Sequence, residues 1–311
     1  MEPTIHVVVS CSNSKTLPVP PEVQFRNIRK DPPNRSFAAW SQALDELDVQ
    51  RIPAWQLYKG DHWAVTKDIM ALGSTRTVRV WVCSAGYGLI DSSQEIKPYA
   101  ATFSSSQPDS IAKGSAQLRE WWEQQVRWRP QGNSGPRSFE EAMTLYPKDR
   151  WLVTLSPPYL QAVHLDLSHG RLQLESPGQL SVLSTGTSRL NGLSDALLPA
   201  DERLQTLLSG AKLSLNVRIA RWLLREVQDF NHQALEGFIL ENLSRLERPQ
   251  RPERAVMSDD EIVQFVRTQL LECSKFSHTA LLRLLRLQGK ACEQSRFARL
   301  FRQVRNEAQS A

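Results

Sequence analysis

The chain has 311 residues, a formal net charge of +5 at pH 7 and 41% hydrophobic residues. At roughly 150 residues per domain this length predicts about two domains, and the apolar fraction excludes an intrinsically disordered or low-complexity protein. The sequence contains no run of about 18 apolar residues, which is the length that a membrane span needs. Its first nine residues lack the basic region of a signal peptide. We therefore expect a cytoplasmic protein with no membrane partner.

Predicted strands and helices alternate over the first 195 residues. Apolar runs with β-branched residues predict strands at 5–9, 78–83, 151–155 and 180–183, and an apolar alternation predicts another at 171–174. Helical spacing predicts helices at 37–47, at 62–72 with Asp61 as N-cap, at 110–128, and a short one after 156–159. Such alternation is typical of an α/β domain, 1–195, whose mainly parallel central sheet is flanked by helices.

Beyond residue 197 the sequence predicts only helices. The predicted helices are 200–208, 215–230, 261–273, 277–287 and 292–305. Ser258 and Glu261 have the spacing of a capping box. A Pro- and Arg-rich linker, 248–257, separates a helical extension, 196–247, from a basic helical module, 258–311.

The last two predicted helices have the proportions of a helix-turn-helix, because a short Gly-containing segment joins them. Their apolar positions predict an interior formed by Leu281, Leu284, Leu285, Phe297, Leu300, Phe301 and Val304. The same spacing leaves Arg283, Arg286, Arg296, Arg299 and Arg302 outside. Nine basic and three acidic residues after residue 261 favour a polyanionic partner. A packing module with a solvated face has the same pattern, so both interpretations stay open.

Cysteine and histidine spacing predicts neither a disulfide framework nor a metal site. Cys11, Cys83, Cys273 and Cys292 include no C-x-x-C pair, and no histidines are spaced as H-x-x-x-H. We therefore expect no metal and no cofactor.

Small, polar loops follow the predicted strands, and sites in open α/β sheets lie at the carboxyl ends of strands. Ser10–Lys15 offers hydroxyls, an amide and a cation, which suit a phosphate or a base edge; it lacks the glycine spacing of a Walker loop. The 84–88 segment lacks the G-x-S-x-G order of a hydrolase elbow. Its glycines also fit a simple tight turn, and Tyr58, Tyr87 and Tyr99 also fit a core.

Three motifs, in this order, resemble the YaaA superfamily. They are SCSNSK at 10–15, AWQLYKGDHW at 54–63 and VCSAGYGLIDSSQEIKPYAATF at 82–103. The shared skeleton is a strand ending in Ser-Cys, an L-Y-x-G element, and an S-x-x-Y-G-L element followed by P-Y. The resemblance covers the first third closely and residues 1–190 in outline, and it does not extend to the C-terminal helices.

This resemblance implies a DNA-binding protein whose core is similar to that of uracil-type DNA glycosylases. With its basic helical end, the chain also resembles phage-defence glycosylases that excise modified bases, one of which removes glucosylated hydroxymethylcytosine. The implied activity is hydrolysis of the N-glycosidic bond of a modified base in duplex DNA, which leaves an abasic site. The G-Q-D-P-Y motif, which activates water in uracil-DNA glycosylase, is absent, and Ser10-Cys11-Ser12-Asn13 stands in its place.

Hydrolysis of an N-glycosidic bond requires a positioned water, stabilisation of an oxocarbenium-like sugar, and donors to the departing base; carboxylates take such roles in O-glycosidases. Asp91 is the first catalytic candidate, although an aspartate there also suits a turn or a helix cap. Asn13 is the alternative, as an amide that positions water.

A base that leaves the duplex must be stacked and held. Trp55, Tyr87 and Tyr99 are candidates for the stacking face. The other candidate base-site residues are Ser10, Cys11, Ser12, Tyr58, Ser84, Gly86 and Gly88. Candidate phosphate contacts are Ser14, Lys15, Lys59, the segment Ser184, Thr185, Gly186 and Thr187, and the five arginines above.

Other functions fit the same sequence. One is a non-catalytic DNA-binding protein, for stress protection or regulation, that uses the terminal helices. Another is a base-exchange transglycosylase of the deazaguanine type, and a third is an enzyme of small nucleosides or nucleotides.

Overall fold

The computed structural model describes residues 3–30, 33–74, 76–112, 114–130, 132, 135–187, 189–247, 255–273 and 276–310. They form two compact units, Met1–Glu247 and Arg248–Ala311, each with its own hydrophobic core. Residues 196–247, expected as a helical extension, contribute to the core of the first unit. Residues 248–254 of the predicted linker lie outside the described residues.

The first unit contains seven strands among its described residues. They are β1 (Ile5–Ser10), β2 (Ile52–Pro53), β3 (Val78–Ser84), β4 (Gly88–Asp91), β5 (Glu95–Ile96), β6 (Arg150–Thr154) and β7 (Leu180–Leu183). Five of them form one sheet in the order β4-β3-β1-β6-β7, while β2 and β5 form an antiparallel pair. Strands β3, β1, β6 and β7 are parallel and β4 is antiparallel. The prediction of a mainly parallel α/β sheet is confirmed.

Strand β1 lies at the centre of the sheet because both of its edges are paired. Val8 is opposite Trp81 on one side and Val153 on the other. Val7, Val8 and Val9 have no solvent exposure. A continuous apolar run of this kind is what a strand covered on both faces requires.

Helices flank the sheet. They are α1 (Phe25–Ile28), α2 (Pro33–Glu46), α3 (Ala54–Leu57), α4 (Asp61–Ala71), α5 (Ser115–Arg127), α6 (Phe139–Leu145), α7 (Pro157–Arg171), α8 (Leu204–Leu207), α9 (Leu215–Glu226) and α10 (His232–Ser244). α4 contacts α9, and α7 contacts both α5 and α6. Because α4, α7 and α9 begin beside the carboxyl edge of the sheet, their N-terminal N–H groups lie near the loops after the parallel strands.

Three local predictions in the first unit are wrong. Residues 171–174 are not a strand, because Arg171 ends α7 and a turn follows. The long helix begins at Ser115 rather than at residue 110. Asp61 is the first residue of α4 and does not cap it; Gly60, with φ of 98°, takes the N-cap position.

The second unit is helical, with α11 (Asp259–Glu272), α12 (His278–Leu287), α13 (Gln294–Ser310) and the short parallel strands β8 (Ala255–Val256) and β9 (Lys290–Ala291). The capping box of Ser258 and Glu261 is present at the start of α11. The seven residues predicted as the interior all belong to this core, with Leu284 only partly buried. The connection from α12 to α13 spans 288–293 and includes β9, so it is longer than the three or four residues of a simple helix-turn-helix turn.

Candidate functional site

Segments from all three motifs meet at the carboxyl ends of β1 and β3. The hydroxyl oxygens of Tyr58 and Tyr99 are 2.7 Å apart, and Ser84 Oγ is 2.6 Å from Tyr99 Oη. All three side chains are fully buried. Burial raises the pKa of both tyrosines well above its ordinary value, so the network stays protonated at neutral pH.

The Ser10–Lys15 loop pairs with the Tyr58-Lys59-Gly60 segment. The Lys59 N–H donates to the Ser14 carbonyl oxygen, and Ser12 Oγ donates to the Lys59 carbonyl oxygen at 3.0 Å. Ser12 Oγ also accepts from the Ser14 N–H. The loop is thereby held from both sides while Ser14, Lys59 and the Asn13 side chain remain exposed. Among the described residues, the Asn13 amide has no hydrogen-bond partner.

Lys15 is the last residue of this loop, and it is only 6% exposed. Its Nζ is 4.5 Å from the centre of the Tyr99 ring and 5.4 Å from that of Tyr58. It donates a short hydrogen bond to the Ser12 carbonyl oxygen. Desolvation lowers the pKa of Lys15 to about 8, even though Cys11 and Asp109 act in the opposite direction. A buried amine at the sheet edge is therefore partly neutral near physiological pH.

Tyr159, which sequence reasoning did not select, joins the site from α7. Its hydroxyl is 3.2 Å from Cys11 Sγ and 3.4 Å from Thr102 Oγ1, and burial raises its pKa well above the ordinary value. The available signal was its place just after the carboxyl end of β6, the neighbour of β1.

Asp109 is a second missed residue. It is 8% exposed and accepts from Arg26 Nε at 2.9 Å and Nη2 at 2.5 Å. Its charge raises the pKa of Lys15, so it lies near that amine, while Arg26 binds both of its oxygens. No motif marks it in the sequence.

Asp91 does not lie with these residues. Strand β4 runs antiparallel to β3, so Asp91 is opposite Trp81, three residues before Ser84 and roughly 10 Å along the strand at about 3.3 Å per residue. Its Oδ2 accepts from Arg79 Nε at 2.7 Å, and its Oδ1 accepts from the Ser93 backbone and hydroxyl. The structure therefore places Asp91 as a turn and ion-pair residue at the far end of β4, opposite the middle of β3.

The predicted stacking aromatics offer little free surface. The Tyr87 ring lies between Tyr99 and Trp128, and its hydroxyl hydrogen-bonds the Lys97 backbone. Tyr99 is fully buried. Trp55 is half-buried beside the Ser92 backbone. The rings of Tyr87 and Tyr99 therefore belong to the interior, and Trp55 is the one of the three that keeps a partly exposed ring.

Gly86 and Gly88 serve the turn between β3 and β4. Gly88 has φ of 75°, a conformation that favours glycine. A Cβ on Gly86 would lie 2.5 Å from the Tyr99 ring. The Ser84 hydroxyl accepts from the N–H groups of Gly86 and Tyr87, which fixes the turn against the tyrosine network.

Asn216, at the start of α9, connects the loops after β6 and β7. Its Oδ1 accepts from the Thr185 N–H and hydroxyl at 3.0 and 2.8 Å, and its Nδ2 donates to the Leu155 carbonyl oxygen. Ser184 is buried with its hydroxyl 3.1 Å from that of Thr187, while Gly186 is exposed at the tip. Only part of this predicted phosphate segment is accessible.

His62, in the first turn of α4, lies against the Ser10 backbone. Burial lowers its pKa to about 4, and the hydrogen bond to Ser10 raises it by less. Its Nε2 is buried and has no partner among the described residues. The imidazole is therefore neutral at pH 7.

A cleft of about 580 Å³ is lined in part by the 105–112 segment. Its lining includes Arg29, Lys30, Gln107, Gln117 and Trp121. The residues of the tyrosine network do not line it, so the cleft and the polar network are separate features of this unit.

The predicted phosphate-binding arginines of the second unit differ in their availability. Arg296 and Arg299 both donate to Asp259, at 2.6 and 2.9 Å. Arg302 is exposed and donates to its own helix. Arg283 and Arg286 line a surface hollow of about 310 Å³ with Thr279 and Gln294.

Comparison with protein-family models, curated proteins and solved structures found no match to this chain. Within the described part of the chain, no helix is long and apolar enough to cross a bilayer. No group of three or more potential metal ligands occurs among the same residues.

Proposed function

We propose that this chain is a DNA glycosylase that hydrolyses the N-glycosidic bond of a modified base and leaves an abasic site, in defence against phage. The observation that carries the proposal is the junction of the SCSNSK, YKG, SAGYG and PY segments in one hydrogen-bonded network at the carboxyl edge of the sheet. Sites of open α/β sheets lie at this edge.

In this proposal Asn13 positions the water. Its amide is exposed and free of protein partners among the described residues, directly after the central strand. Lys59, Ser14 and the tip at Gly186 are the exposed groups near the carboxyl edge that suit flanking phosphates. A neutral amide orients a water without adding charge next to the sugar cation. Asp91 has no role in this assignment.

The test is a panel of DNA duplexes that carry uracil, hydroxymethylcytosine or its glucosylated form, each incubated with the protein and then with mild alkali. Strand breaks at one modified base would identify the activity and its substrate class together. Intact DNA across the panel would contradict the proposal.

A second candidate is DNA binding without catalysis through the pair α12 and α13, acting in the manner of a helix-turn-helix. Exposed Arg283 beside Arg286, Thr279 and Gln294 favours it, because arginine and small polar side chains suit phosphates and base edges. Salt-sensitive binding together with an unreactive panel would select this candidate.

A further inference from the structure

Lys15 is a buried amine at the candidate site whose hydrogen-bond acceptor is a carbonyl oxygen rather than a carboxylate. Its Nζ donates to the carbonyl oxygen of Ser12, the residue before Asn13. The nearby carboxylate, Asp109, is engaged by Arg26 through both oxygens. A salt bridge to Asp109 would have stabilised the charged form of the amine; the structure instead keeps it beside aromatic rings.

The Lys15 amine lies in the same loop as Asn13, the residue that positions the water in the proposed reaction. The water that Asn13 positions becomes the C1′ hydroxyl of the abasic sugar, and that sugar opens to an aldehyde at C1′. Lys15 is two residues after Asn13 in the same loop, and its Nζ contacts the backbone of the residue just before Asn13. The amine is therefore held next to the loop segment that carries the proposed water-positioning amide.

We propose that Lys15 forms an imine with the C1′ aldehyde of an abasic site in DNA, so that the enzyme also cleaves the strand as a lyase. This inference rests on the proposed function, because it takes the abasic product of that reaction as its substrate.

Besides the amine and the aldehyde, the reaction uses only solvent water and its protons. The neutral amine adds to the aldehyde carbon, and the carbinolamine then takes one proton from solvent and loses one water, which leaves a protonated imine. The C2′ proton then passes to water while the C3′–O bond breaks and the 3′ phosphate group leaves with its bonding electron pair. Hydrolysis of the imine returns Lys15 and releases the unsaturated aldehyde.

The electrostatics of the pocket support a nucleophilic amine. With a pKa of about 8, Lys15 is neutral in about one molecule in ten at pH 7 and in half at pH 8. The groups that face it are Cys11 on its own loop, Tyr58 and Tyr99 beneath it, and Asp109. Both tyrosines stay protonated over this range because their pKa values are raised.

The experiment incubates the full chain with a duplex that already contains an abasic site, in the presence of sodium cyanoborohydride, which reduces an imine to a stable amine. We expect a covalent protein–DNA adduct, with a trapping rate that rises between pH 7 and pH 8.5. Peptide mapping of the wild-type adduct should place it on Lys15. Because the abasic site is supplied, the result does not depend on base excision.

Variants separate the nucleophile from its surroundings. Lys15→Arg keeps the charge but should lose the adduct to background, while Lys148→Arg, at an exposed lysine of the same unit outside the candidate site, should retain it. Absence of an adduct with the wild-type protein, or an adduct mapped to another amine, would overturn the inference. Base excision in the duplex panel without trapping would overturn it alone and leave the glycosylase proposal intact.

Discussion

Asn13 and Asp91 differ in what their side chains contact, and this difference predicts opposite results on substitution. Asn13→Ala removes the exposed amide in the loop after β1, so we expect base excision to fall by roughly 100-fold, as for the misplacement of a reactant. Asp91→Asn removes only the charge of an ion pair with half-exposed Arg79. Such a pair contributes about 1 kcal/mol or less, and excision should stay near the wild-type rate.

Both variants are compared by the rate of alkali-labile breaks in a duplex that the wild-type protein cleaves. DNA binding measured on the same duplex should survive in both. A large loss of excision activity in Asp91→Asn, at unchanged stability, would contradict this assignment and show that Asp91 takes part in catalysis.

At the scale of residues, the sequence predicts which polar side chains follow the strands, but it does not predict which side chains are buried. The sequence places Ser10–Lys15 and Ser84 at one edge because parallel strands end together. Tyr58 and Tyr99 do not follow parallel strands and were selected through the motif resemblance. Whether Tyr99 stacks on a ligand or lies in the interior depends on Trp40, which is 6.0 Å from it in an edge arrangement and comes from a helix far away in sequence. Asp109 and Asn216 act through contacts across the fold, which no local pattern encodes.

Gly86 shows how closely the β3–β4 turn approaches the tyrosine network. In Gly86→Ala the new Cβ would lie 2.5 Å from two Tyr99 ring carbons, so the ring must shift and its bonds to Ser84 and Tyr58 weaken. Overpacking of this kind costs about 1–3 kcal/mol. We expect a drop of that size in the free energy of unfolding, measured by urea titration, together with weaker hydrogen bonds within the tyrosine network.

Gly237, in the interior of α10, is the matched control. Nothing lies within 4 Å of a Cβ built there. Because glycine in a helix costs roughly 0.5–1 kcal/mol relative to alanine, Gly237→Ala should stabilise the protein by about that amount. If both substitutions changed the free energy of unfolding equally, the Tyr99 ring would move aside without loss of stability.

At the scale of elements, strands that end in small polar loops were predictable, while short or edge elements were not. β4 has only four residues and exists because it pairs with β3. Residues 171–174 were predicted as a strand from an apolar alternation, yet Leu172 is 78% exposed at the end of α7. Local periodicity cannot tell the last turn of a helix from a short strand.

At the scale of the whole molecule, the chain divides into two units with separate cores, so the proposed DNA binding by the second unit and the proposed catalysis by the first can be tested separately. If α12 contacts phosphates, Arg283→Ala should reduce the slope of log K against log salt by roughly 0.9 per phosphate lost. Arg299→Ala is the control, since Arg299 donates to Asp259 and should change the slope less. Fluorescence anisotropy with duplex DNA at several salt concentrations measures both; equal slopes for Arg283→Ala and the wild-type protein would remove α12 from the interface.

The stability of the first unit should depend on pH through its buried histidines. Burial lowers the pKa of His6, His62 and His232, with His62 at about 4. Trp81 Nε1 donates to His6 Nδ1 at 2.8 Å, which leaves Nε2–H to donate to Asp149, so protonation of His6 would break the Trp81 bond. Below pH 6.5 the unfolded chain binds protons that the folded chain does not, and stability falls as the pH drops.

The nine tryptophans all precede residue 248, so their fluorescence during urea titration follows the first unit alone. For a pKa that moves from 6.5 to about 4, His62 by itself should remove about 2 kcal/mol of stability at pH 5 relative to pH 7. In His62→Gln the decline should become shallower, because that proton-binding site is gone from the unfolded chain. The same substitution at exposed His169 should leave the decline unchanged. A wild-type stability that stayed constant from pH 7 to pH 5 would mean that the three histidines bind protons equally in the folded and unfolded chain, which would contradict the lowered pKa values.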